Sequence, residues 1–216
     1  MSVNYEQILE ALWETVYMTG VAFGFSLLIG FPLGILLVVT RHGHLLENEI
    51  VSKVLNVVIN IFRSIPFIIL MVAIIPLTRL IVGTSIGTAA AIVPLVFYAG
   101  PYIARLIENS LLEVDKGVIE AAQAMGASPL QIIFRFLIPE ALSSLVLALT
   151  IAVVGLIGAS AMAGAIGGGG LGDLAITYGY QRFDTVVMFI TVAILVILVQ
   201  GVQSFGNVLS RQVRRN

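Results

Sequence analysis

Residues 141–172 read ALSSLVLALTIAVVGLIGASAMAGAIGGGGLG, and this stretch contains no Asp, Glu, Lys or Arg. A run of about 20 predominantly apolar residues is long enough to cross a bilayer as a helix, whereas a charge at its centre would be costly. Three further windows without charges occupy residues 15–40, 80–104 and 185–210. The chain is therefore predicted to be an all-α integral membrane protein.

A fifth span is predicted at residues 55–78, although this segment carries one charge, Arg63. An arginine near the end of a span can extend its guanidinium to the interface, which would make Arg63 an anchor at the cytoplasmic edge. Because a charge near lipid is costly, Arg63 is also a candidate for a functional intramembrane charge that contacts a helix end or a dimer partner. The predicted spans are about 15–40, 55–78, 82–104, 141–166 and 185–209, within one membrane domain covering residues 1–216.

The composition supports this class and excludes others. Of 216 residues, 59% are hydrophobic and 11% are charged, whereas soluble domains contain about 25% charged residues. A soluble domain and a disordered chain are both excluded. The net charge of -1 provides no basic surface for nucleic acid. Because the chain has no cysteine, it has neither a disulfide framework nor a thiolate metal site.

The distribution of positive charge predicts the orientation in the membrane. With five spans, one side of the membrane holds Arg41, Lys53, Arg63, Arg105, Lys116, Arg135, Arg211, Arg214 and Arg215, and the other holds Arg79 and Arg182. Since Lys and Arg concentrate on the cytoplasmic side, the N-terminus is predicted to be periplasmic and the C-terminus cytoplasmic. The first 40 residues lack Lys and Arg, so the first span is not expected to be a cleaved signal peptide.

The cytoplasmic loop at about 106–138 is long for a compact membrane protein, which points to a function. Val118, Ile119, Ala122 and Met125 recur at helical spacing, and Gly126 and Pro129 follow them. This pattern predicts a short surface helix at about 117–125. From amphipathicity alone, the helix could pack against a partner or lie on the lipid surface.

The same loop resembles the EAA loop of type I ABC importer permeases. The residues that carry the resemblance are Glu120, Ala121, Ala122 and Gly126, with Pro139 thirteen residues after Gly126. In that family the loop forms a coupling helix that docks in a cleft of the cytoplasmic ATPase subunit. Here Phe136-x-Ile138-Pro139 replaces the common Ile-x-Leu-Pro, an exchange of apolar residues that leaves docking plausible.

Five other segments resemble the methionine importer permeases in particular. They are residues 60–67 (NIFRSIPF), 82–87 (VGTSIG), 104–109 (ARLIEN), 124–127 (AMGA) and 160–167 (SAMAGAIG). The resemblance implies a homodimeric pore, two copies of an ABC ATPase, a periplasmic or lipid-anchored binding protein, and localisation in the bacterial inner membrane. It also implies that Met162 lies near the pore axis and helps to close it, whereas ordinary helix packing is the commoner role of methionine.

Several weaker patterns receive a structural interpretation. The run Gly167–Gly172 fits G-x-G-x-x-G but lacks the strand of a dinucleotide site, so it is expected to be a flexible periplasmic turn. His42, His44, Glu47 and Glu49 share one short loop, which predicts a solvated loop rather than a metal site. The sequence contains no P-loop, so no enzyme activity and no cofactor are expected, and ATP hydrolysis must come from a separate subunit.

The resemblance therefore implies a permease subunit of an ATP-driven importer of methionine, in both the L and the D form. The residues alone leave two alternatives open. One has the same architecture with another amino acid or small solute as its cargo, because the binding protein largely selects the substrate. The other is a passive channel or secondary transporter whose cytoplasmic loop merely lies on the membrane.

Overall fold

The computed structural model describes residues 3–214. Within this range the chain forms only helices and their connections, which confirms the all-α prediction. Arg215, assigned above to the cytoplasmic side, and both chain ends lie outside the described residues. The helices are α1 (Tyr5–Val39), α2 (Glu49–Ser64), α3 (Phe67–Ala73), α4 (Ile75–Val82), α5 (Thr88–Leu112), α6 (Lys116–Ala124), α7 (Pro129–Ile132), α8 (Ile138–Glu140), α9 (Leu142–Gly164), α10 (Gly170–Leu174) and α11 (Thr185–Arg214), with π-helical turns at Ile133–Leu137 and Ala175–Gln181.

Four of these helices are long and apolar enough to cross a membrane: α1, α5, α9 and α11. Helix α1 begins at Tyr5, ten residues before the predicted start of the first span. The segment predicted as the second span is divided, because α2 and α3 meet at an angle of 99°. The described residues contain five crossings if this bent pair is one span, and four if it is a re-entrant loop. Ile65, which precedes Pro66, is extended with φ -84° and ψ 121°. A proline disfavours helical geometry in the residue before it, which explains where the break falls.

The central core lies where α1 packs against α5. A Cβ atom placed on Gly30 would lie 2.7 Å from the Gly100 carbonyl oxygen, and one on Gly34 would lie 2.7 Å from Ile107. The two helices therefore approach so closely that only glycine fits at these positions. By contrast, Gly20 has no heavy atom within 4 Å of such a Cβ within the described chain. Helix α1 contains two G-x-x-x-G pairs, Gly20 with Gly24 and Gly30 with Gly34. Only the second pair packs closely against another helix of the described chain.

The glycine-rich segment after α9 is packed, in contrast to the flexible turn expected from its composition. Gly167, Gly169 and Gly170 have φ between 76° and 87°, a backbone region that residues with a Cβ rarely adopt. The Gly170 amide donates to a carboxylate oxygen of Glu14 at 2.7 Å, and the Leu171 amide donates to the Thr15 hydroxyl at 2.8 Å. The glycines let the chain turn tightly enough for α1 to hold the start of α10.

Candidate functional site

Helix α6 carries the EAA residues and has a defined cap at each end. At its start, the Asp115 carboxylate accepts a hydrogen bond from the Gly117 amide at 2.7 Å. At its end, the Gly126 amide donates to the Gln123 carbonyl at 2.9 Å, and the Ala127 amide donates to the Ala122 carbonyl at 3.1 Å. These two bonds form a Schellman motif, in which the residue at the position of Gly126 must be left-handed. The φ of Gly126 is 80°, so the motif glycine ends the helix.

The EAA residues divide between a buried and an exposed face. Ala122 is fully buried, and Ile119 packs against the central core. Glu120, Ala121 and Gly126 are exposed. The small exposed side chains of the outer face leave room for close approach by another molecule, while Ala122 and Ile119 fix α6 to the bundle.

The apolar side chains next to α6 extend this outer surface. Met125 is 72% exposed at the end of α6, and Leu130 is 66% exposed on α7. Helix α7 begins at a capping box in which Ser128 and Gln131 bond each other's backbone amides. We call the exposed set Glu120, Ala121, Met125, Gly126 and Leu130 the α6–α7 surface. Large exposed apolar side chains beside a stiff, capped helix are typical of a surface that a partner covers.

The π-helical turn Ile133–Leu137 connects this surface to α9. Pro139, the last residue of the EAA-like motif, lies two residues after its end. Proline has no amide hydrogen and its ring clashes with the carbonyl four residues earlier, which here belongs to Arg135. A locally widened turn relieves that clash, and such bulges are frequent at functional sites.

A polar network between α2 and α5 was missed at the sequence level. The Arg105 guanidinium pairs with Glu108, whose side chain is 5% exposed. It also donates to the amide oxygens of Asn56 and Asn60, each at 3.0 Å. The sequence contained two signals for this network. Asn56 and Asn60 are four residues apart in the span predicted at 55–78, and Arg105 and Glu108 are three residues apart just after the end of the span predicted at 82–104. The network holds Asn56 and Asn60 of α2 against the C-terminal half of α5.

Arg63 and Met162, the other predicted site residues, lie on different elements from the EAA residues. Arg63 is exposed in the last turn of α2, directly before the break at Pro66. Met162 lies in the last turn of α9, two residues before its end at Gly164, and is 52% exposed. Its neighbours Ser160 and Ala163 are buried, so the helix packs on its own subunit with one face and presents Met162 on another.

The loop between α1 and α2, together with the first residue of α2, brings three possible metal ligands together. Ligand atoms of His42, Glu47 and Glu49 lie within 4.8 Å of one another, and all three residues are exposed. Each carboxylate already has a partner, because Glu47 accepts bonds from the Gly43 amide and from His42, and Glu49 accepts one from Lys53 at 2.8 Å. The bond from the Gly43 amide, and then that from His42, lowers the pKa of Glu47 below its usual value. These bonds explain why the three side chains lie close together without a metal ion.

The chain matches the family model described as binding-protein-dependent transport system inner membrane component over residues 30–215. It is 53% identical to a probable D-methionine transport system permease protein of Vibrio cholerae serotype O1, over 98% of this chain and 94% of that protein. A protein of Pasteurella multocida with the same description is 49% identical over 92% of each chain.

Among solved structures, the fold is similar to a chain of a methionine ABC transporter described in inward-facing conformations. The TM-score is 0.95 and the identity is 50%, and the match covers 97% of both chains. A second structure, described as an amino acid ABC transporter with histidines, has a TM-score of 0.77 at 20% identity. At this lower identity the likeness concerns the fold alone.

Proposed function

The chain belongs to the family of binding-protein-dependent transport system inner membrane components, and we propose that it is the permease subunit of an ATP-driven methionine importer. The observation that carries this proposal is the TM-score of 0.95 at 50% identity, over 97% of both chains, to a chain of a methionine ABC transporter. The names of the relatives from Vibrio cholerae and Pasteurella multocida support methionine, including its D form, as the cargo.

In this proposal, the α6–α7 surface is the docking site for a cytoplasmic ABC ATPase. Glu120, Ala121 and Gly126 face outward on a helix that is capped at both ends, and Ala122 anchors that helix to the core. An ATPase dimer presents two docking clefts and each chain offers one coupling helix, so two permease chains form the working unit. A periplasmic or lipid-anchored binding protein delivers the substrate, and ATP is hydrolysed only by the ATPase subunits.

Transport would follow alternating access. Closure of the ATPase dimer on ATP draws the two coupling helices together, and the bundle turns from inward-facing to outward-facing. We assign Met162 a place beside the path between the two copies, because its side chain is exposed on the subunit surface and its flexible thioether suits an adjustable seal. The N-terminus lies in the periplasm and the C-terminus in the cytoplasm of a bacterial cell.

The test is uptake of labelled L-methionine into proteoliposomes that contain this chain, its ATPase and its binding protein. Uptake should require ATP, and unlabelled L- or D-methionine should compete while other amino acids do not. If uptake requires ATP but another solute competes for it, the chain is still an importer permease and methionine is not its substrate. Flux that proceeds without ATP would favour a channel or secondary transporter and refute the importer.

A further inference from the structure

Helix α2 is polar on one side along its whole length. At about 100° per residue, its seven polar side chains fall within one sector of about 120°, and the nine apolar ones fill the remainder. The polar sector consists of Glu49, Ser52, Lys53, Asn56, Asn60, Arg63 and Ser64. On the apolar side, Ile50 is 76% exposed, Val54 55% and Ile61 55%. This apolar side suits lipid, and the polar sector needs a different environment.

The contacts of α2 show that it rises along α5 instead of lying flat on the membrane surface. Asn56 bonds Arg105 of α5, and six residues later the Phe62 ring packs 6.3 Å from the ring of Phe97. The α5 positions are separated by about 12 Å and the α2 positions by about 9 Å along their helix axes. The two helices therefore run antiparallel, side by side.

Arg63 consequently lies at mid-depth in the bundle. Its neighbour Phe62 contacts Phe97, which is nine residues from the start of α5 and fifteen from its end. Helix α2 cannot rotate about its axis to bury Arg63 inside this subunit. Its rotation is fixed by Ile59, which is 2% exposed and packs against α1 and α5, and by the bonds from Arg105 to Asn56 and Asn60. A guanidinium at mid-depth requires water or an anion, because contact with hydrocarbon is costly.

The chain also breaks at this depth. Helix α2 ends at Ser64, and α3 leaves at 99° after Pro66. In secondary transporters, discontinuous helices near the bilayer midplane form the substrate site, and we apply the same reasoning to this break. The break, the polar sector and the positive charge thus meet at one place.

We propose that the polar sector of α2 lines the cytoplasmic half of the translocation path, and that Arg63 attracts the α-carboxylate of the transported amino acid there. The inference rests on the proposed function and extends it to named residues. A methionine zwitterion carries its carboxylate at one end, and the Arg63 guanidinium provides a complementary positive group with several N–H donors.

The first experiment measures which side of α2 faces water. Because the chain contains no cysteine, Ser64→Cys and the control Val58→Cys each add one thiol to this subunit. The complete transporter in inside-out vesicles is treated with a membrane-impermeant methanethiosulfonate reagent. We expect Cys at position 64 to react at least about tenfold faster than Cys at position 58, since a lipid-facing thiol is not reached by a charged reagent. Equal rates would overturn the assignment of the path.

The second experiment measures the charge at the site. In the Ser64→Cys protein, the rate of an anionic methanethiosulfonate reagent is divided by that of a cationic one, with and without Arg63→Gln. A unit charge about 6 Å away in water changes each rate about threefold in opposite directions, so removing Arg63 should lower the ratio about tenfold. An unchanged ratio would show that Arg63 does not face the path.

The third experiment measures transport. Arg63→Gln should lower methionine uptake per ATP hydrolysed by at least about threefold, and Arg63→Lys should retain most of it because the charge remains. Arg211→Gln, in the last turn of α11, is the matched control and should behave as the wild type. If the wild type takes up methionine with ATP and Arg63→Gln does so equally well, this inference fails while the proposed function stands. If the wild type shows no ATP-dependent uptake, the proposed function fails.

Discussion

Replacing Gly126 should separate ATP hydrolysis from methionine uptake, because this residue ends the helix that carries the EAA residues. Its φ is 80°, and a Cβ atom built there would have no neighbour within 4 Å. A substitution therefore meets no steric obstacle inside this chain. Its effect must come from the backbone conformation, or from a partner that covers the α6–α7 surface.

The size of the backbone effect follows from the left-handed geometry. A residue with a Cβ costs about 1–2 kcal/mol in this conformation, whereas asparagine adopts it more readily. A loss of this size changes the ratio of formed to unformed cap by a factor of about 5–30. The two bonds of the Schellman motif, from Gly126 to Gln123 and from Ala127 to Ala122, would then be formed in a smaller share of molecules.

The assay is the number of ATP molecules hydrolysed per methionine imported into proteoliposomes, for Asn, Ala and Val at position 126. We expect a small increase for Asn, a larger one for Ala and the largest for Val, because β-branched residues fit left-handed geometry worst. Gly43→Val is the matched control, since Gly43 also has positive φ (76°) and open space around a built Cβ. It should leave the ratio unchanged.

Two results would refute this reasoning. If Asn raises the ratio as much as Val, the added side chain collides with the partner and the backbone conformation is not the cause. If Val leaves the ratio at its wild-type value while the complex still assembles, the cap of α6 has no part in coupling.

Three further predictions concern stability, measured as the melting temperature of the detergent-solubilised protein. Gly34→Ala should lower stability by about 1–3 kcal/mol, because its Cβ would lie 2.7 Å from Ile107, whereas Gly20→Ala should have little effect. Glu108→Ala should cost about 3–5 kcal/mol by leaving a mostly buried guanidinium without its carboxylate partner, whereas Lys53→Ala, which removes an exposed ion pair, should have little effect. Thr15→Val should cost about 1–3 kcal/mol, since the buried Leu171 amide loses its acceptor. Equal melting temperatures within either pair, or an unaffected Thr15 variant, would contradict the packing described above.

Features that depend on short stretches of chain were predictable from the sequence. The windows without charges located the long helices, because a charge near the centre of a span is costly whatever the surrounding sequence. The surface helix predicted at 117–125 is observed at Lys116–Ala124, because apolar spacing and a closing glycine act within a few residues. The second span was predicted as continuous over 55–78, whereas the structure interrupts it at Pro66. The angle of 99° at this break was not predictable, because proline sets where a helix is interrupted and not the direction of the next one.

Features that depend on distant residues were not predictable in this way. The glycines after α9 have a composition typical of a flexible turn, yet Glu14 and Thr15, 156 residues earlier in the chain, bond the amides of Gly170 and Leu171. No local pattern encodes those acceptors, because a carboxylate and a hydroxyl near the end of a span equally suit contact with water. The glycines supplied only the permitted backbone conformations, and α1 determined which of them is adopted.

The orientation of α2 also depends on distant residues, so its polar sector could not be distinguished from the rest of the span predicted at 55–78. Nine of its sixteen residues are apolar, so a search for charges detects only Arg63 in its second half and gives no reason to orient the helix. The orientation comes from Arg105, which lies 45 and 49 residues from the two asparagines that it bonds. Arg105 precedes α6 by only eleven residues on the continuous segment that leads to the EAA residues. A docked ATPase that displaces α6 would therefore also displace α5, and the Arg105 guanidinium would pass this movement to Asn56 and Asn60 of α2. We expect Arg105→Gln to raise the number of ATP molecules hydrolysed per methionine imported. An unchanged number would exclude this route.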